Sequence, residues 1–231
     1  MRALLLAAGL GTRLRPLTDT IPKCLVPIKG TPLLNIWLTA LIKAKIGPLL
    51  VNTHYLNEQV ESYIANNQYK DRITITYEPS LLGTAGTLIR NIDFFNEEDG
   101  ILIHADNYCL ADLGEFINAH NRRPKKCLMT MMTFRTDKPS ECGIVELDDE
   151  NIVVGFHEKA PDPPSNLANG AVYIFSKELI GLLKGKYHTI TDVSTELIPT
   201  LIGKIYSYTT PEVFIDIGTI EAYTLANNLA K

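Results

Sequence analysis

Between residues 6 and 23 the chain reads Leu6-Ala7-Ala8-Gly9-Leu10-Gly11-Thr12-Arg13-Leu14-Arg15-Pro16-Leu17-Thr18, and Pro22-Lys23 follows. Glycines placed after an apolar run let backbone N–H groups come close to phosphate oxygens, and Arg13, Arg15 and Lys23 supply the countercharge. Triphosphate binding is the chemistry this combination suits. A dinucleotide fingerprint requires a third glycine where this chain has Leu14, and the GxxxxGK[ST] pattern of a P-loop occurs nowhere in the sequence. Both of those phosphate sites are excluded.

The same segment, LLAAGLGTRLRPLTDTIPKCLVPI, resembles the opening signature of sugar-1-phosphate nucleotidylyltransferases. The likeness continues along almost the whole chain. Leu82-Gly-Thr-Ala-Gly-Thr87 is similar to that family's nucleotide-base loop, Ala105-Asp106-Asn107 to the segment carrying its first metal carboxylate, and Phe156-His-Glu-Lys159 to its sugar-phosphate motif. Asn169-Gly170 and Phe214-Ile-Asp-Ile-Gly-Thr219 complete an ordered set, which is more specific than any one member. The resemblance implies nucleotide contacts at Ala7, Ala8, Gly9, Gly11 and Thr12, and at Gly83, Thr84 and Gly86. It implies sugar-phosphate contacts at Asn107, Gly143, Glu158, Lys159 and Asn169, a catalytic set of Lys23, Arg13 and Asp106, and Mg²⁺ held by Asp106 and Asp216.

Elementary chemistry agrees with those roles. Asp106 follows a buried strand and Asp216 lies in a short apolar segment, so both can converge on one edge of a sheet, where α/β proteins place ligands. Two carboxylates with phosphate oxygens suit Mg²⁺, which keeps several waters and takes few protein ligands. Lys23 would act as a compact charge on the phosphate under attack and Arg13 would grip the departing pyrophosphate with its planar fork. Taken alone, a lysine after a proline is an ordinary surface residue, and it is the resemblance that singles Lys23 out. Many relatives carry Gly at the position of Ala105 and Pro at that of Ala160. Those departures bear on substrate identity more than on activity. His104 and His157 flank the acidic residues, but displacement at phosphorus by a sugar phosphate needs no general base, so both are read as packing or supporting polar groups.

The elements that must position these residues are legible as alternating strands and helices. Residues 2–7 form a continuous apolar run ending in glycines, as a strand buried on both faces does. Residues 33–46 repeat apolar side chains at helical spacing between Pro32 and Gly47. Strands are expected over 49–52, 73–77 and 100–104, a short helix over 58–65, and a helix opening from the turn at 83–86. Past residue 110 a helix at 112–120 gives way to strands at 128–134, 143–147, 152–156 and 171–175. The pattern is that of a single α/β domain, Rossmann-like, with a mixed, mostly parallel sheet flanked by helices, matching the nucleotide-diphospho-sugar transferase fold that the resemblance implies. Residues up to about 110 would build the nucleotide half and residues 111–231 the sugar half. The proline-dense stretch 160–166 reads as a surface loop, since strands flank it.

Composition sets the outer limits. The 231 residues are 45% hydrophobic and 21% charged, which argues against disorder and against a disulfide-stapled miniature. The net charge is −4, and with only one basic cluster, residues 122–126, no nucleic-acid partner is expected. No run approaches the length of a membrane helix, and the four cysteines contain no CxxC pair, so a soluble cytoplasmic protein with reduced thiols and no membrane partner is the expectation. The substrates implied are an NTP and a sugar 1-phosphate, and a homo-oligomer is compatible with the sequence. Leu82 to Thr87 is most similar to guanylyltransferases acting on mannose 1-phosphate, so GTP is expected first. The second reading is UTP or dTTP with a glucose-type or amino-sugar phosphate. A third, of another class, is a non-catalytic regulatory subunit that binds sugar nucleotides. The chain ends soon after the Asp216 motif, and a monofunctional enzyme is expected.

Overall fold

The computed structural model describes residues 1–230. The chain forms two compact units, each discontinuous in sequence. The first comprises Arg2–Leu81, Ile103–Leu110 and the chain from Glu212 on; the second comprises Met1, Leu82–Leu102 and Ala111–Pro211. Residues 82–102 and those after 211 thus group differently from what a cut near residue 110 would give.

In the first unit, strand Arg2–Leu6 runs parallel to Leu49–Thr53, which runs parallel to Ile73–Tyr77. Ala3, Leu4 and Leu5 have no exposed surface, and every residue of Leu49–Thr53 is buried, which explains runs that are apolar without alternation. Helix Leu33–Lys43 buries Leu33, Leu34, Trp37, Leu38 and Leu41, the stripe its sequence spacing requires. It ends three residues before the expected limit at 46. Helix Asn57–Ala65 turns Val60 and Ile64 inward.

A short ribbon completes this unit. Asn107–Cys109 pairs antiparallel with Phe214–Asp216, with Asp216 opposite Asn107. Strands of three residues carry too little periodicity to be read from sequence. They are held instead by a hydrophobic cluster in which Leu14, Val26, Ile28, Leu33, Tyr108, Ile217 and Ala226 are buried together. The cluster ties the glycine-rich segment, the ribbon and helix Ile220–Leu229 into one support.

The second unit is mainly antiparallel. Val153–Glu158 pairs with Gly143–Leu147, which pairs with Leu167–Phe175, which pairs with Met129–Arg135. Ile205–Thr209 adds to Met129–Arg135 in parallel. Leu167–Phe175 begins four residues before the expected strand at 171, and its register shifts between Asn169 and Tyr173, where Ala171 takes φ +53°. That bulge interrupts the alternation, which is why the sequence shows only the second half of the strand. Helix Leu113–Arg122 starts on an Asp112 carboxylate that accepts from the amides of Gly114 and Glu115. The sequence patterns assign nothing between residues 176 and 204. The structure places there helix Lys177–Lys184, capped by Ser176, and a π-helical turn, Val193–Leu197.

Candidate active site

The glycine-rich segment folds back on itself in the first unit. Gly11 adopts φ +65°, and a Cβ there would lie 2.9 Å from Thr18 Cγ2 and 3.2 Å from Lys23 Cβ, so glycine is required twice over. Thr18, fully buried, donates its hydroxyl to the Gly11 carbonyl at 2.7 Å, and the Tyr55 hydroxyl donates to the Thr18 carbonyl at 3.1 Å. The Ala7 amide donates to Asn52 Oδ1 at 2.7 Å, and Asn52 Nδ2 donates to the buried Glu78 carboxylate at 3.1 Å. The amide of Ala7 is therefore engaged inside the unit, while Gly9 is exposed and no atom lies within 4 Å of where its Cβ would be.

Lys23 opens a short turn, Lys23–Leu25, whose following residues Cys24 and Val26 are buried and anchor it. Burial pushes the Cys24 thiol up to about 12, leaving it inert. The Lys23 ammonium is itself buried, 6% exposed, and reaches two carboxylates from distant parts of the chain: Asp106 Oδ2 at 2.7 Å and Asp216 Oδ1 at 3.4 Å. Arg13 approaches the other oxygen of Asp216 at 3.7 Å. Burial works against the charge on Lys23, but the two carboxylates outweigh it and hold its pKa above the ordinary lysine range. Burial likewise opposes ionisation of Asp106, and the adjacent Lys23 together with His104 outweighs it and holds the carboxyl below the usual range. Both groups are charged at neutral pH.

The convergence has identifiable causes. The Ala105 amide donates to the Leu6 carbonyl at 3.0 Å, which fixes the turn carrying Asp106 beside the end of the first strand. Trp37, the single tryptophan, donates its indole N–H to the Asn107 carbonyl at 2.9 Å. The ribbon then delivers Asp216 next to it. Gly11, Thr12, Arg13, Lys23 and Asp106 line a cavity of about 310 Å³ together with Leu10, Leu81 and Gly218. Arg15 does not line it and instead pairs on the surface with Asp19 at 3.1 Å. Gly218 escaped the sequence reading as a site residue. A Cβ there would fall 3.0 to 3.1 Å from the Arg13 guanidinium, so the glycine seats that side chain, and its presence in the Phe214–Thr219 segment was the available signal.

The second unit brings its own candidates together. Glu158 lies opposite Gly143, where a Cβ would be 2.7 Å from Glu158 Oε2, and Ala168 pairs with Ile144 in the next strand, which sets Asn169 nearby. Lys159 takes φ +48°, is largely exposed, and stands 3.7 Å from Glu158. Asn169 Oδ1 accepts from the Ala171 amide at 2.9 Å and its Nδ2 donates to the Tyr173 hydroxyl at 2.7 Å, so this side chain shapes the bulge. His157 pairs with Glu146 at 2.5 Å. In the other expected loop, Gly83 has φ +79° and the amides of Ala85 and Gly86 donate to the Thr191 carbonyl at 2.9 and 3.1 Å. The Thr84 hydroxyl donates to Asp192 at 3.1 Å. Thr191 and Asp192 carry no motif; an aspartate immediately ahead of the helical run Val193–Leu197, in the N-cap position, was the only sign.

Among the described residues no group of three or more His, Cys, Asp or Glu side chains gathers as a metal centre, and no helix is long and apolar enough to cross a membrane. A family model described as nucleotidyl transferase matches residues 2–231. The chain is 30% identical over 227 residues to a mannose-1-phosphate guanylyltransferase of Mycobacterium tuberculosis, covering 96% of this chain and 62% of that protein. It is 28% identical over 240 residues to a UTP–glucose-1-phosphate uridylyltransferase of Synechocystis, covering 96% of this chain and 61% of that protein. The chain thus spans about three fifths of the length of these relatives. The crystal structure of HddC from Yersinia pseudotuberculosis complexed with GMP-PN superposes with a TM-score of 0.81 at 25% identity, covering 98% of each chain.

Proposed function

The chain belongs to the nucleotidyl transferase family, and from that premise we propose that it transfers a nucleotidyl group from an NTP to a sugar 1-phosphate, giving an NDP-sugar and pyrophosphate. One observation carries the reading: Lys23, Asp106, Asp216 and Arg13 form a single ion-paired cluster against a glycine turn that has no room for a side chain at Gly11.

In this reading an oxygen of the sugar phosphate attacks the α-phosphorus in line, the α–β bridging P–O bond breaks, and its electron pair leaves with pyrophosphate. The attacking phosphate is already anionic, so no side chain has to remove a proton. Lys23 neutralises charge on the crowded α-phosphate, and Arg13, seated on Gly218, holds the departing pyrophosphate. Gly9, Gly11 and Thr12 admit the triphosphate to close backbone range, with Ala7 and Ala8 forming the wall behind them. The residues present fit Mg²⁺: Asp106 and Asp216 both aim an oxygen at one point, now marked by the Lys23 ammonium, and a hard cation needs few protein ligands when phosphates share its coordination. When bound, the cation would supply Lewis-acid stabilisation to the phosphates. In the second unit, Gly83, Thr84 and Gly86 would border the base, and Gly143, Glu158, Lys159 and Asn169 the sugar phosphate. Since the amides of Ala85 and Gly86 are engaged by Thr191, base reading in that turn falls to its other polar groups.

GTP with a mannose-type phosphate is the favoured pair, supported by the loop resemblance and by a relative named for that reaction. UTP or dTTP with a glucose-type phosphate is the second pair, supported by the uridylyltransferase relative. The deciding experiment is a matrix of NTPs against sugar 1-phosphates read by pyrophosphate release, with and without Mg²⁺. Release that requires both substrates and the cation is expected. Binding of sugar nucleotides without release under any pairing would make the chain a regulatory binding module instead.

A further inference from the structure

Residues 191–196 belong to no sequence motif, yet their polar groups reach two of the candidate loops within the second unit. On one side the Thr191 carbonyl accepts from Ala85 and Gly86, and the Thr84 hydroxyl donates to Asp192 Oδ2 at 3.1 Å while accepting from the Val193 amide at 2.8 Å. On the other, Ser194 and Asp192 lie near Tyr173, whose buried hydroxyl accepts from Asn169 Nδ2. Asp192 stands at the root of both arms. Its Oδ1 accepts from the Thr195 amide at 2.8 Å and hydroxyl at 2.9 Å, which starts the π-helical turn carrying Ser194, and Glu196 reaches back to the Thr191 amide and hydroxyl at 2.9 and 2.8 Å. π-Turns are rare and gather where geometry is functional.

We propose that Asp192 is a positioning residue that sets the Gly83–Gly86 turn and the Asn169 bulge as one piece through the bracket of residues 191–196. The proposal rests on the reading that these two loops border the base and the sugar phosphate. An aspartate is required because both oxygens act only as acceptors, one for Thr84 and one for the two Thr195 donors; an asparagine would turn an N–H toward one of them. Partial burial disfavours the charge on Asp192, and the donors from Thr195, Thr84 and Ser194 outweigh it and hold the carboxyl below the usual range. The bracket also explains Gly83, since a Cβ there would lie 2.4 Å from the Thr191 carbonyl oxygen.

Hydrogen exchange by mass spectrometry on the full chain, with steady-state kinetics, tests this. Asp192→Ala should speed exchange on the order of tenfold in peptides covering both residues 82–90 and 167–175, leave the Arg2–Leu6 strand unchanged, and raise KM for NTP and for sugar phosphate more than it lowers kcat. Asp192→Asn should restore part of each effect. Thr84→Val should loosen only 82–90, with Thr84→Ser, which keeps the hydroxyl, restoring the exchange of that peptide; this pair decides the nucleotide arm should Asp192→Ala fail to fold. Exchange that rises in 82–90 alone after Asp192→Ala, that rises uniformly along the chain, or that rises with both KM values unaltered would overturn the proposal. Should the wild-type protein turn over no pair of substrates, the functional reading fails, and the two exchange peptides alone then decide the bracket.

Discussion

Two glycine-rich turns in this chain look alike in sequence and are built for different things. The turn at Gly9–Thr12 faces a cavity and packs on a cluster of four charged side chains, with the constraint on Gly11 coming from Thr18 and Lys23. The turn at Gly83–Gly86 opens helix Thr84–Arg90, and its constraint comes from a backbone carbonyl, Thr191, that already holds two of its amides. Glycine spacing reports where the backbone needs freedom. What surrounds the turn decides whether that freedom serves a phosphate or a packing contact.

The largest effect should come from the charges around the first turn. Asp106→Ala and Asp216→Ala are each expected to reduce turnover by more than about a thousandfold with the fold intact, because on the proposed reading each would remove a ligand that couples the cation to the phosphates. Retention of turnover within about tenfold, measured by pyrophosphate release, would release that aspartate from the metal role. Lys23→Ala should follow, lowering kcat by more than about a hundredfold with a smaller effect on NTP binding. A change confined to KM would make Lys23 a ground-state binding group instead.

Alanine substitutions at the glycines probe the comparison directly. Gly83→Ala should destabilise by more than about 2 kcal/mol, a loss of roughly 4–8 °C in Tm, since it combines positive φ with a clash against an immobile carbonyl. Gly9→Ala should leave Tm within about 2 °C of wild type, there being open space at its Cβ, yet raise the NTP KM on the order of tenfold if backbone there meets phosphate. A normal NTP KM for Gly9→Ala, beside a raised one for Gly83→Ala, would reverse the assignment of the two turns.

The smallest effect lies away from both. His120, fully buried, bonds Thr130 at 2.8 Å and Asp99 at 3.3 Å. Burial holds its pKa below the ordinary histidine range, so the folded protein keeps the ring neutral while the unfolded chain takes up a proton below about pH 6.5. The hydrogen bond from His120 holds Asp99 below the usual carboxylate range, a contribution present above the unfolded carboxyl pKa and lost as pH falls through the folded one. Both signs predict falling stability on acidification. Thermal melts between about pH 8 and pH 5 should show a smaller drop in Tm for His120→Gln than for wild type. Equal slopes would exclude His120 as the source.

Much of the architecture was legible because burial writes itself into runs of one residue class. Strands Ile73–Tyr77, Gly100–His104 and Gly143–Leu147 were bounded to the residue by apolar runs between turn residues. The elements that escaped were those whose stability is not local. Asn107–Cys109 and Phe214–Asp216 are too short to show a period and exist through each other and the cluster beneath them. The Asn169 bulge hid half a strand, and the bracket at 191–196 meets the Gly83–Gly86 turn about a hundred residues upstream through single polar atoms.

The sequence by itself determined the chemistry on offer: glycines beside arginines and a lysine, carboxylates at the ends of apolar segments, and the order of motifs that marks the family. It did so because side-chain type and backbone freedom are local properties. Only the tertiary structure decided which of these groups act together. It placed Arg13 and not Arg15 on the cavity, brought Asp216 to Lys23 across 193 residues, and engaged the Ala85 and Gly86 amides with Thr191. Each of those outcomes depends on which distant backbone supplies a donor, an acceptor or a wall, and no spacing along a chain encodes that until the core that joins the distant segments has formed.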